Sequence, residues 1–152
     1  MNLVELLARD ASELIDRATE TVLKVRLKHY AAEGREALRG HIEDLFGCLL
    51  ACIDARNPTA MIEHARAIAV ARFATGFGLH EVQTAINVIE EAVWLRLEAE
   101  LPPEQFAEAI RVVSWILGMG KDAFATSYVD LAAHAHAPAI DLSALFRGTD
   151  GV

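Results

Sequence analysis

The sequence is poor in the residues that would mark it as secreted, membrane-spanning or nucleic-acid-binding. Only two cysteines occur in 152 residues, Cys48 and Cys52. Without a secretion signal they read as reduced thiols rather than as a disulfide framework. No run of about 18 uninterrupted apolar residues exists, so a membrane span is not expected. Glu5, Arg9 and Asp10 sit among the leading leucines and exclude a signal peptide. Cytoplasm is the default. Strand signals are also missing, with no sustained period-two alternation and no Asn-Gly or Asp-Gly turn between two such segments. Basic charge is in deficit: 14 Lys and Arg stand against 22 Asp and Glu, for a net charge of −8. Residues 1–39 are balanced, whereas residues 79–152 carry eleven acids and four bases. A protein that grips phosphates needs the opposite sign, so nucleic acid is not expected as a partner.

What is present is apolar surface arranged with helical periodicity. Hydrophobic residues make up 53% of the chain and mean hydropathy is +0.25. That surplus must enter a core, a cavity or a subunit interface. Asn2 can cap a first helix reaching to about Ala32, with Leu3, Leu7, Leu14, Ala18, Val22 and Val25 inward and Gly34 ending it. A second helix spans about residues 35–55, and Asn57-Pro58-Thr59 is a stop followed by a threonine cap. The third, about 60–74, is apolar on nearly every side and is expected to be central or covered by a partner. Gly76-Phe77-Gly78 separates it from a fourth, about 79–100. Pro102-Pro103 then opens a long fifth, running to about Ala135. Pro138 terminates it, and Leu142, Leu145 and Phe146 suggest one short amphipathic turn. The expectation is an all-α bundle of about five main helices, with a globin-like arrangement left open. One domain covers residues 1–137, followed by a C-terminal tail over 138–152.

Few residues carry a chemical signal. His41, Cys48 and Cys52 project within roughly 40° of one another on the second helix. They lack a fourth ligand and the usual Cys-x-x-Cys spacing, so packing is preferred to a metal site. No Glu-x-x-His pair exists, which removes di-iron chemistry. Haem would need a proximal histidine, for which His64 and His80 are the candidates. His80, however, falls on the outer face of a first turn. Gly118-Met119-Gly120-Lys121 is no P-loop, lacking the long glycine spacing and the strand before it. Those two glycines are expected to permit close helix packing. Arg72 shares a stripe with Met61, Ala65 and Ile68, so it is expected to be at least half buried and bonded to an acid or to helix-terminal carbonyls. It is also the candidate anchor for an anionic ligand or a signalling contact. Trp94 and Trp115 lie off the main inner stripes and are candidates for a secondary seam or a dimer interface. No triad or nucleophile elbow is found, and no cofactor or metal is expected.

The segments Tyr30-Ala-Ala-Glu-Gly34-Arg, Leu45 to Ile53, and Ala71-Arg-Phe-Ala-Thr-Gly-Phe-Gly-Leu-His-Glu-Val82 resemble the N-terminal domain of RsbRD-type proteins. These are RsbT co-antagonist relatives associated with bacterial stress signalling, and similar domains precede sensor kinases and other regulators. The resemblance spans roughly residues 3–135, with its core in the Arg-x-x-x-Gly-x-x-Leu-x-Glu-Val pattern. It implies an input module, related to non-haem globin-like sensors, that passes a signal through dimer contacts. No kinase, STAS or DNA-binding segment follows before Val152, which leaves both a stand-alone sensor and a truncated input domain open. A regulatory, non-catalytic module acting through protein contacts is therefore expected. The alternative is a protein that binds haem or a small hydrophobic ligand between the third and fifth helices. Second apolar stripes, Val88, Ala92 and Leu95 on the fourth helix and Val112, Ile116, Met119 and Ala123 on the fifth, predict a homodimer, because one bundle covers only one face of each peripheral helix.

Overall fold

The chain enters its first helix through a reciprocal cap. The Asn2 side chain accepts from the Glu5 amide at 2.8 Å, and the Glu5 carboxylate accepts from the Asn2 amide at 2.9 Å. Two of the amides that a helix start leaves without partners are thereby satisfied. The computed structural model describes residues 1–136, and the tail expected over 138–152, with Pro138, Leu142, Leu145 and Phe146, lies outside them. The described residues form seven α-helices and no strand: α1 (Leu3–Arg9), α2 (Ala11–Val25), α3 (Lys28–Glu33), α4 (Arg35–Ala55), α5 (Thr59–Ala74), α6 (Leu79–Glu100) and α7 (Pro103–His136).

The class is the expected one, but the single first helix is three. Asp10 leaves the helical region (φ −99°, ψ 9°), and Arg26 adopts a left-handed conformation at φ 59°. Neither residue is an intrinsic helix breaker. Asp10 receives Arg9 and Arg96, and the turn at Arg26 sends α3 across the end of the bundle onto α4 and α6. Val25, assigned to the inner stripe, is consequently 47% exposed. The cap at α5 is also inverted: Asn57 Oδ1 accepts from both the Thr59 amide (2.9 Å) and its hydroxyl (2.6 Å), so the asparagine does the capping.

The five long helices form a ring in the order α2, α4, α5, α7, α6 and back to α2, with α4 also touching α7 across the middle. Leu7, Leu14, Leu38, Leu49, Leu97 and Phe124 are among the core residues. α5 is not central as expected. Ala60, Ala67, Val70, Ala71 and Ala74 face solvent, and only Val70 among them is large. Exposed alanines give the sequence an apolar look at little energetic cost, since alanine is the best helix former. Between α5 and α7 the packing is tight: a Cβ on Gly120 would meet Met61 Cγ at 2.7 Å, whereas one on Gly118 would meet nothing within 4 Å. Close packing therefore explains Gly120 but not Gly118. The second stripes are also partly consumed within the monomer. Ala92 and Ile116 are buried, and only Leu95 and Met119 remain exposed, because α2 covers one flank of α6 and α5 one flank of α7.

Candidate functional site

The turn between α5 and α6 gathers the most unusual side chains. Thr75 caps α5, Gly76 follows at φ 86°, and the Phe77 amide donates to the Arg72 carbonyl at 3.0 Å while Gly76 donates to Phe73 at 3.2 Å. This is a Schellman motif, which needs a residue tolerant of left-handed backbone at Gly76 and brings the next side chain against the last turn of the helix. Phe77 is that side chain. Its ring lies 5.2 Å below the Arg72 guanidinium carbon and is 1% exposed.

Helix α6 begins at once, and Glu81 ties the junction together. Its carboxylate accepts from the Gly78 amide at 2.8 Å and from the His29 amide at 2.8 Å, while His29 Nδ1 lies 2.7 Å away. Burial would raise this carboxyl, but the two amides and the imidazole hold it below the usual glutamate value. The latch sets α3 on the turn, so that Tyr30 meets the Phe77 ring edge-on at 4.7 Å and His29 meets it at 5.1 Å. From the other side the Tyr128 hydroxyl of α7 donates to the Phe77 carbonyl.

Arg72 is buried as expected, at 8% exposure, but neither of its expected partners, an acid or a helix-terminal carbonyl, engages its Nε. No carboxylate lies within 4.0 Å among the described residues, and Nε has no hydrogen-bond partner. Glu81, the nearest carboxylate along the motif, is occupied by His29 and Gly78. The Arg72 side chain instead borders a cavity of about 30 Å³ between α4, α5 and α6, shared with Tyr30 and His41 and otherwise walled by aliphatic residues such as Leu38, Ile42, Val82 and Ile89. Burial pushes the Tyr30 phenol up, and the Arg72 guanidinium beside it pulls partly back.

The other candidate residues lie elsewhere. His80 is exposed on the first turn of α6. Trp94 is 39% exposed on α6 and Trp115 47% exposed on α7. Trp115 stands beside an open groove of about 490 Å³ that α1, the end of α4 and the start of α7 enclose, at the opposite end of α4 from Arg72. The four candidates therefore do not converge. His41 turns away from the cysteines: its Nε2 lies 2.9 Å from Glu33 Oε2 and its ring packs on Tyr30. Burial and the neighbouring Cys52 push the Cys48 thiol up to about 11, which keeps it protonated near neutrality. His64 is part-buried with Nε2 unpartnered, and burial lowers its pKa. The nearby cavity between α5 and α7 measures about 10 Å³, because Met61 and Phe124 fill the space. Tyr30, Phe77 and His29 were not singled out from sequence. The usable signal was Gly76 four residues after a buried-face arginine, which predicts that the following residue folds back on it.

A family model described as the RsbT co-antagonist protein rsbRD N-terminal domain matches residues 8–139. No curated protein and no solved structure matches the chain. Among the described residues no helix is long and apolar enough to cross a membrane.

Proposed function

The chain belongs to the RsbT co-antagonist rsbRD N-terminal domain family, and from that premise we propose a non-catalytic input module that works in the cytoplasm and passes its signal through protein contacts as a homodimer. The carrying observation is the set of large apolar side chains left in solvent on the adjoining helices α6 and α7: Trp94, Leu95, Trp115 and Met119, between 36% and 49% exposed. Tryptophan and methionine are enriched at interfaces, which supports a contact surface on these two helices. A shift of one packed helix against its dimer mate would suit transmission to a further regulatory protein. Sedimentation equilibrium at micromolar concentration tests the dimer. The expected mass is twice the 16.6 kDa chain. A mass near one chain, unchanged by Trp94→Glu or Trp115→Glu, refutes it.

A further inference from the structure

We propose that two copies of the chain pair antiparallel along α7, crossing where Gly118 leaves a notch, with Arg111 of each copy set against Asp122 of the other. This pairing rests on the homodimer reading and specifies its register. Positions 108, 111, 115, 118 and 122 recur at intervals of three and four, so they share one face of the 34-residue helix. On that face Glu108, Arg111, Trp115 and Asp122 are exposed and Gly118 is half-buried. Glycine is among the poorest helix formers, and a Cβ on Gly118 would meet nothing within 4 Å in its own chain. Gly120 makes room for Met61, whereas Gly118 makes room for nothing in the same chain. What a glycine on an outward helix face permits is the close approach of a second backbone.

The charges choose the register. Arg111 bonds Glu108 of its own helix through Nε at 3.1 Å and Nη2 at 2.6 Å, which leaves Nη1 for another acceptor. Asp122 forms an ion pair with no residue among the described ones. A two-fold axis level with the Ile116–Leu117 peptide sets position 111 opposite 122 and position 115 opposite 118. Symmetry repeats each contact, so two arginine–carboxylate pairs flank two tryptophans, each seated over a glycine of the other copy. A parallel pairing would instead set Arg111 on Arg111 and Asp122 on Asp122. Sliding the antiparallel helices by three residues would set Asp122 against Glu108. Both alternatives juxtapose like charges, which costs affinity. Helix α6 borders the same crossing. Lys121 bonds Asn87 at 3.1 Å and Glu90 at 3.3 Å, so the antiparallel α6–α7 hairpin brings Trp94 level with Ser114, one turn from Gly118.

Sedimentation equilibrium of the full chain gives the dimer dissociation constant, and charge reversal tests the register. Arg111→Asp or Asp122→Arg alone is expected to weaken the dimer roughly tenfold, since symmetry makes each reversal two like-charge contacts. The two reversals combined should return affinity to within about threefold of the parent, as coupled partners do. Gly118→Leu should weaken the dimer while circular dichroism shows undiminished helix. A cross-link reads the direction of pairing. Arg111→Cys combined with Asp122→Cys should give a disulfide-linked dimer under mild oxidation, and neither cysteine alone should. Within one helix these positions lie about 16 Å apart, too far to bridge. A parent chain that sediments as a monomer removes the homodimer, and this pairing with it. A parent dimer that neither reversal weakens, that the combined reversal fails to restore, or that cross-links through either cysteine alone overturns the pairing and leaves the homodimer standing.

Discussion

The two ends of the bundle each hold an arginine at a junction of helices, and they treat it in opposite ways. At the end where α1 meets α6, Arg96 reaches Asp10 at 2.8 Å and Glu13 at 2.6 Å, and Arg9 adds contacts to Asp10 at 2.8 Å and Glu100 at 3.4 Å. That cluster lies at the surface and pairs every cation with an acid. Its pull holds the Asp10 carboxyl well below its usual range, the Arg9 hydrogen bond being the main cause. At the end where α3 meets the α5–α6 turn, Arg72 is deeper and has an aromatic face instead of a carboxylate. The Arg96 cluster fixes the angle between α2 and α6 and needs nothing more. At the Arg72 end no carboxylate lies within 4.0 Å among the described residues, and the Phe77 ring takes that place.

The largest test of that contrast removes the aromatic support. Phe77→Ala should lose about 3–5 kcal/mol of stability in urea unfolding, as for a fully buried phenylalanine. A loss under about 1 kcal/mol would mean that the turn is not a core element. Next comes a matched pair of substitutions. Arg72→Met should stabilise the chain by on the order of 1 kcal/mol, because it removes a buried guanidinium that has no carboxylate within 4.0 Å. Arg96→Met should destabilise, by an amount that shrinks as salt approaches about 1 M and the screening length falls to about 3 Å. If both arginines prove equally stabilising, the distinction between the two ends fails.

Acid titration touches both ends. Glu81 has a folded-state pKa below its ordinary value of 4.5, so its contribution is complete above pH 4.5 and is lost as pH falls through the lowered value. Asp10 behaves in the same sense around its own reference of 3.8. Glu81→Gln should therefore flatten the fall of melting temperature below pH 4.5 and leave the curve above it parallel to the parent. An unchanged acid limb would remove the latch from the account. The smallest effect is expected at Arg56, which ends α4 in a left-handed conformation at φ 52°. Arg56→Gly relieves that strain against a larger unfolded-state entropy, for a net gain of about 0.5 kcal/mol in denaturant titration. A loss would show that the Arg56 side chain matters more than its backbone.

Much of the fold was legible because its punctuation is local. Gly34, Asn57-Pro58, Gly76-Phe77-Gly78 and Pro102-Pro103 each sit where a helix ends, and α4 to α7 begin and end within about a residue or two of where those signals put them. The breaks at Asp10 and Arg26 were not legible, since they depend on Arg96 from α6 and on the docking of α3, not on residues that break helices by themselves. Within the site, the burial of Arg72 could be read from its stripe. Its neighbours could not, because Tyr30 arrives from 42 positions away through a turn the sequence did not announce. Periodicity also counts an exposed alanine as apolar, so it could not tell a central α5 from one whose alanines face out of the chain.

From its sequence alone the protein was bound to be helical and to break between helices at Gly76-Phe77-Gly78, because capping, glycine and helical period act over a few residues. Which groups stand across from a given face is set by the packing of helices distant in sequence. Only the tertiary structure could decide that Arg96 finds two carboxylates, that Gly120 makes room for Met61, and that Arg72, with Glu81 already engaged by His29 and Gly78, has none.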